Sequence, residues 1–259
     1  MGLFGKIFEK KICDICGGEI GLLGNRKLED GNLCKNCAAK LSPWFSDRRS
    51  STVEEIKEQL SYREQNMEAV ERFNTTRSIG RNYKVLLDED AGKFLVARTK
   101  DISTENPDVL DYSQVTGCDL DIRETCREEK RTDKDGKQVS YEPPRYRYSY
   151  DFYMLIRVKH PYFDEMSFKL NSSSVELQPA GGGAFVTRSI NPRMNRDYRE
   201  YEEMGAEIKE ALTQARRQVR EEAAAANAPR QAVTCPWCGA TTMPDASGCC
   251  EYCGGSVNG

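Results

Sequence analysis

Two groups of four cysteines constrain this chain more than any other feature. Cys13, Cys16, Cys34 and Cys37 form a CxxC pair, a spacer of seventeen residues and a second CxxC pair, and Cys235, Cys238, Cys250 and Cys253 repeat the pattern with a spacer of eleven. One CxxC turn presents two thiolates to a single ion, and two such turns supply the four corners of a tetrahedron. Glycines directly behind a knuckle, at Gly17, Gly239 and Gly254, let the turn fold back toward the sulfurs. The competing reading, a redox-active dithiol, calls for one CxxC on a βαβ scaffold, and neither flank has that pattern. The spacing therefore predicts two structural Zn²⁺ ions. Four sulfurs on each ion leave no open position for water, so neither site is expected to be catalytic.

The surroundings of the two groups differ. Around the first, "KLEDGNLC" places an Asp-Gly hairpin turn ahead of the second CxxC, and "CKNCAAKLSPWF" continues as a short helix carrying the last two ligands. Knuckle, hairpin and ligand-bearing helix resemble a treble-clef finger. Ile12, Ile15, Ile20, Leu22, Leu28, Leu33, Leu41 and Trp44 are available as its core. The second group, "CPWCGATTMPDASGCCEYCGG", has a knuckle at each end and no room for a helix, and so resembles a compact zinc ribbon. Cys249 competes with Cys250 for the third ligand position, and the spacing to Cys253 favours Cys250.

A chain of 259 residues is long enough for one substantial core with small satellite modules. No run approaches the ~18 apolar residues of a membrane span, and "MGLFGKIFEKK" lacks the apolar length and cleavage site of a secretory signal. The expected compartment is a reducing cytoplasm, where paired cysteines bind metal rather than form disulfides. The net charge is −3, so no global field draws the chain to nucleic acid. Locally, residues 1–50 hold nine Lys and Arg against six acids, which the −2 of a Cys₄ zinc centre brings to about +1. The C-terminal module is net acidic. Both counts favour protein over phosphate as the partner.

Between the two groups, "STVEEIKEQLSYREQNMEAVERFN" opens with a capping box from Thr52 to Glu55 and continues as a helix. Val53, Ile56, Leu60, Met67, Val70 and Phe73 form its apolar stripe, broken only by Arg63, and the stripe is expected to dock on its own chain rather than to pair as a coiled coil. From Tyr83 the period becomes two. "YKVLLDEDAGKFLVART" reads as a hairpin, "VTGCDLDIRE" and "EMSFKLN" as strands, and "YRYSYDFYMLIRVKH" as a strand with Tyr146, Tyr148, Tyr150, Phe152, Met154, Ile156 and Val158 on one face. The charged "REEKRTDKDGKQVSYEPPR" is expected to form a solvated hairpin tip. Cys118 and Cys126 are expected to be buried thiols on one strand face, about 27 Å apart. After Gly181 to Gly183, a helix from about Asn195 to Ala225 presents Tyr198, Tyr201, Ile208, Leu212, Ala215 and Val219 as one stripe.

The expected fold class is thus α+β: an N-terminal Cys₄ finger (1–50), a helix (51–76), an antiparallel sheet domain closed by a helix (81–222), a linker (223–233) and a zinc ribbon (234–259). The order of elements in the central domain resembles that of pleckstrin-homology-like domains. The catalytic inventory is thin. The one histidine, His160, precedes Pro161 at a strand end, where a turn role is expected, and the chain has no phosphate-binding glycine loop, HExxH or GxSxG.

"CDICGGEIG", "EEIKEQLSYREQN", "NPDVLDYSQVTGCDLDI", "YSYDFYMLIRV" and "FKLNSSSVEL" resemble bacterial proteins built on domain of unknown function 4428, a family described as a zinc finger or ribbon, often with a second ribbon at the C-terminus. The resemblance implies a cytoplasmic bacterial zinc protein and brings no activity with it. The function expected from all this is a non-enzymatic zinc-binding adaptor for protein partners. Three alternatives stand beside it, the least favoured being an enzyme whose carboxylates do chemistry that no sequence motif reveals. Another is weak membrane-surface contact through Leu3, Phe4, Ile7 and Phe8 with Lys6, Lys10 and Lys11 nearby. The third, disfavoured by charge, is a nucleic-acid-binding finger. The oligomeric state is not legible.

Overall fold

The computed structural model describes residues 11–177, 191–226, 232–245 and 248–257. The N-terminal apolar segment, the Gly181–Gly183 run and residues 227–231 of the expected linker lie outside them. The chain divides into two compact units, the boundary falling between Arg216 and Arg217.

The first unit begins with the finger. Two short antiparallel pairs, β1 (Lys11–Ile12) with β2 (Glu19–Ile20) and β3 (Arg26–Lys27) with β4 (Asn32–Leu33), precede the one-turn helix α1 (Lys35–Ala38). Ile20, Leu28, Leu33 and Leu41 are buried together, as the pattern required, but Ile12 and Leu22 are exposed, so the finger's own core is smaller than its sequence offers. Helix α2 (Val53–Arg72) completes it. Thr52 caps the helix with the expected capping box, Val53 N–H donates to Asp30 Oδ1 at 2.8 Å, and Ile56 is fully buried among the finger's leucines.

Beyond Ile56 the buried side of α2 is only in part the apolar stripe read from the sequence: Val70 is buried and Leu60 packs on the finger core, but polar side chains share the face. Gln59, Arg63 and Asn66 are buried and Met67 is half exposed. Arg63, expected to interrupt the seam, lies at its centre. Its guanidinium meets Asp108 at 2.8 Å and also donates to the carbonyls of Lys40 and Asn106. Asp108 is satisfied further by Ser42 Oγ–H at 2.7 Å and Tyr62 O–H at 3.2 Å, and Asn66 donates to Asn106 Oδ1 and the Pro107 carbonyl while accepting from Val109 N–H. A helix face that docks on a loop instead of a sheet must satisfy the loop's free backbone groups, and polar side chains do this where leucines cannot.

Two antiparallel sheets follow. The first has the order β5 (Arg77–Gly80), β6 (Lys84–Asp88), β7 (Lys93–Ala97), then, after the short helix α3 (Ile102–Glu105), β8 (Leu110–Asp111). Val85, Leu87, Phe94, Leu95 and Leu110 are buried in it. The second is built on β9 (Val115–Thr132) and β10 (Gln138–Val158), with β11 (Glu165–Lys169) and β12 (Val175–Leu177) both pairing β10. The face containing Tyr150, Phe152, Met154, Ile156 and Val158 is buried, as its period of two required. The charged tip is more ordered than a loop: the ladder continues to Thr132 and Gln138, with a register shift between Ser140 and Arg145. Cys118 is buried, but Cys126, which pairs across to Tyr148, is exposed, correcting the expectation for the second thiol.

Helix α4 (Arg196–Ala226) covers the second sheet. Tyr198 meets Tyr150 and Phe152 edge-on at 5.0 and 5.1 Å, and Ile208 and Leu212 are fully buried. Gly205 allows the close approach: a Cβ there would stand 2.6 Å from a Leu120 methyl. Lys209 and Arg157 share Asp119 at 2.9 Å each. Residues 223–226, assigned to a linker from composition, are helical.

The second unit contains β13 (Val233–Thr234) paired with β14 (Thr241–Thr242) and an isolated bridge between Cys249 and Ser256. It has no helix beyond the end of α4 among the described residues, in keeping with a ribbon.

Candidate metal centres

Three of the four knuckles are built alike. In each, the first cysteine's carbonyl accepts from the glycine four residues on, Gly17, Gly239 or Gly254, and the first cysteine's N–H donates to the residue after that glycine, with distances of 2.8 to 2.9 Å. The glycines have φ of 68°, 72° and 71°, the left-handed region that a side chain disfavours. The fourth knuckle is different. Cys34 is the N-cap of α1, its sulfur accepting from Cys37 N–H at 3.3 Å, so the helix itself orients the last two ligands.

These turns bring the sulfurs of Cys13, Cys16, Cys34 and Cys37 within 4.8 Å of one another, and those of Cys235, Cys238, Cys250 and Cys253 likewise. The donor set fits zinc. A tetrahedron with Zn–S bonds of about 2.3 Å has edges of about 3.8 Å, and the separations Cys16–Cys34, Cys235–Cys253 and Cys238–Cys250 are 3.8, 3.6 and 3.8 Å. Each group can therefore hold one metal ion. Cys249 is outside the second group. Its backbone N–H is instead held by Asp245 Oδ1 at 2.9 Å, within a turn that presents Cys250 to the centre.

Packing four thiols so closely splits their acidities. Burial works against ionisation of Cys13, but backbone N–H groups of Cys34, Cys16 and Ile15 outweigh it and bring the thiol down to about 6. Burial, reinforced by the sulfurs of Cys34, Cys16 and Cys13, pushes Cys37 up. In the ribbon, burial opposes the Cys253 and Tyr252 N–H groups at Cys250, and the N–H groups prevail, giving about 6; Cys253 is favoured by the Gly255 N–H but pushed up to about 12 by the sulfurs of Cys238 and Cys235. Against the cost of burial, backbone N–H groups favour the thiolate of Cys13 in the finger and those of Cys235 and Cys250 in the ribbon, whereas Cys37 and Cys253 are pushed toward the neutral thiol and need a positive charge among the sulfurs to ionise. When bound, a zinc ion supplies that charge and fixes the relative position of two turns that have little core of their own.

Two surface features accompany the centres. On the finger, Arg26, Lys27, Arg48 and Arg49 line one pocket with Glu29 as the only acid among its described lining residues, so the structure gathers cations that a whole-module charge count averages away. Burial, together with the charges of Arg49 and Arg26, lowers the Arg48 pKa. On the ribbon, the aromatic inside each knuckle faces out: Trp237 is 75% and Tyr252 73% exposed, and the Trp237 indole donates to the Ser256 carbonyl at 3.0 Å.

His160 stands in the turn between β10 and β11, where its Nδ1 accepts from Tyr162 N–H at 3.4 Å. It is packed among Phe163, Tyr62 and Tyr162 with ring centroids 4.1, 5.0 and 5.8 Å away, and burial, opposed by the charge of Asp108, lowers its pKa.

Residues 11–59, the finger and the first two turns of α2, match a family model described as Domain of unknown function (DUF4428). The match stops just past Ile56, the last α2 residue buried in the finger core. No curated protein and no solved structure matches the chain.

Proposed function

We propose that this chain, whose described structure begins with a DUF4428 finger, is a non-enzymatic adaptor of the bacterial cytoplasm in which two structural zinc ions stabilise modules that bind protein partners. The observation that carries this reading is the complete use of both cysteine groups. All eight sulfurs are needed to surround two ions, so the metal chemistry goes into shape and none into activating a water. The outward-facing Trp237 and Tyr252 support a contact role, because large aromatic side chains on a rigid knuckle lose little entropy when a partner covers them. Among the described residues no helix is long and apolar enough to cross a membrane. The proposed membrane-surface contact rests on residues 1–11, of which only Lys11 is described.

A second reading has one observation behind it: the cations Arg26, Lys27, Arg48 and Arg49 offer a finger-borne contact to nucleic-acid phosphates. Four charges on one pocket suit a short contact and not a groove-following surface.

The test is chemical cross-linking and capture from native cytosol by the zinc-loaded chain and by the same chain after chelation. Protein partners captured only by the zinc-loaded form support the adaptor. Recovery of nucleic acid in place of protein, or of nothing, contradicts it.

A further inference from the structure

A groove of about 900 Å³ opens within the first unit where three segments distant in sequence meet: residues 44–51 behind the finger, the first turns of α2, and the turn from β10 to β11 at 160–165. Its charge is one-sided. Asp47, Glu55, Glu58, Asp164 and Glu165 line it, and no Lys or Arg among the described residues does. Glu55 is engaged in the helix cap, but Glu58, Asp164 and Glu165 are exposed and have no ion-pair partner among the described residues. Unpaired like charges held along one groove raise its affinity for cations and repel polyanions.

The walls are aromatic as well as acidic. Trp44, Phe45 and Tyr162 line the groove, and Tyr162 is propped by Tyr62 at a centroid distance of 5.2 Å. Trp44 is packed on Phe168 at 6.2 Å, and its buried indole N–H has no hydrogen-bond acceptor among the described residues. His160 adds no compensating charge at neutral pH, since burial, opposed by Asp108, lowers its pKa. Carboxylates beside aromatic faces are the combination that recognises guanidinium and ammonium groups, through charge-assisted hydrogen bonds and cation–π contact. The volume is at the upper end of small-ligand sites, which suits a segment of chain better than a single small cation.

We propose that this groove binds an extended Arg- or Lys-bearing peptide segment of a protein partner. The inference rests on the adaptor reading and names the chemistry of the partner it takes. Glu58 and Asp164 belong to different segments, so a bound segment contacts α2 and the β10–β11 turn together and reads their spacing.

The test uses the full-length zinc-loaded chain and two fluorescein-labelled decapeptides of equal length, one carrying four arginines among leucines and serines, the other with the arginines replaced by glutamates. Fluorescence anisotropy should show saturable binding of the first and none of the second. The triple variant Glu58→Gln, Asp164→Asn, Glu165→Gln should weaken binding at least tenfold with zinc content and melting temperature unchanged, because all three side chains are exposed. Equal binding of the two peptides, no binding of the arginine peptide, or undiminished binding by the triple variant overturns the proposal. Binding that emerges only after residues 1–10 are deleted also overturns it, since the occupant is then the chain's own lysine-bearing terminus. If cytosolic partners are captured equally by wild type and triple variant, the groove assignment fails while the adaptor reading stands. If no partner is captured at all, the adaptor reading itself fails.

Discussion

Arg63 and Asp108, 45 positions apart, form a 2.8 Å ion pair whose side chains are 7% and 0% exposed. Through Lys40 and Ser42 on one side and Asn106 on the other, the pair ties the finger, α2 and the strand β8 into one unit. Removing one partner of such a pair leaves a buried charge uncompensated and costs about 3–5 kcal/mol. Arg63→Met and Asp108→Asn should each lower the unfolding free energy by that order, read from urea titrations followed by circular dichroism. A loss under about 1 kcal/mol in both would mean the pair is incidental.

This pair also marks the limit of what the sequence discloses. Period-two alternation is a local signal, and from Tyr150 to Val158 the buried face came out as read, whereas Tyr146, on the same face, is exposed and Tyr148 only partly buried. The capping box at Thr52 and the knuckle glycines are local too. The docking face of α2 is not. A buried Arg63 looks like a break in an apolar stripe until the loop containing Asp108 is brought beside it, and nothing within a helical turn of Arg63 announces that loop. Cys126 fails for a related reason: alternation places it on the same side as Cys118, but that stretch of β9 extends past the part of the sheet covered by α4, so the same face is covered at one end and exposed at the other. The basic pocket on the finger was hidden by averaging, since Arg26 and Arg48 are brought together by folding and not by spacing.

His160 gives the fold an acid-sensitive contact. Burial, only partly offset by Asp108, keeps its folded-state pKa below the ordinary value near 6.5. As pH falls from about 6.5, the unfolded chain takes up this proton before the folded one, so stability present above that value is lost on the way down through the folded-state pKa. Between pH 7.5 and 5.5 the wild type should lose more unfolding free energy than His160→Gln. Parallel losses would show that the imidazole titrates equally in both states.

The four cations of the finger pocket set a ceiling on phosphate contacts. With at most four contacts, log affinity for duplex DNA falls with log salt at a slope no steeper than about 3.6. Any retention on DNA at 50 mM salt should vanish by 150 mM, and the quadruple alanine variant at Arg26, Lys27, Arg48 and Arg49 should abolish it at both. Retention at 150 mM would make nucleic acid, not protein, the principal partner.

Gly80 lies at φ 122°, and a Cβ there would stand 2.2 Å from the Tyr83 carbonyl in the β5–β6 turn. Gly80→Ala forces backbone to move and should cost about 2 kcal/mol or more in stability. An unchanged melting temperature would show that the turn rearranges freely.

Metal content of the purified chain bears most directly on the account as a whole. Two groups of four sulfurs at tetrahedral separations call for two zinc ions per chain. Elemental analysis should give two for the wild type, two for Cys249→Ser and one for Cys250→Ser, with the first unit still folded in the last. One zinc or none in the wild type, with the thiols oxidised, or loss of an ion in Cys249→Ser but not in Cys250→Ser, would contradict it.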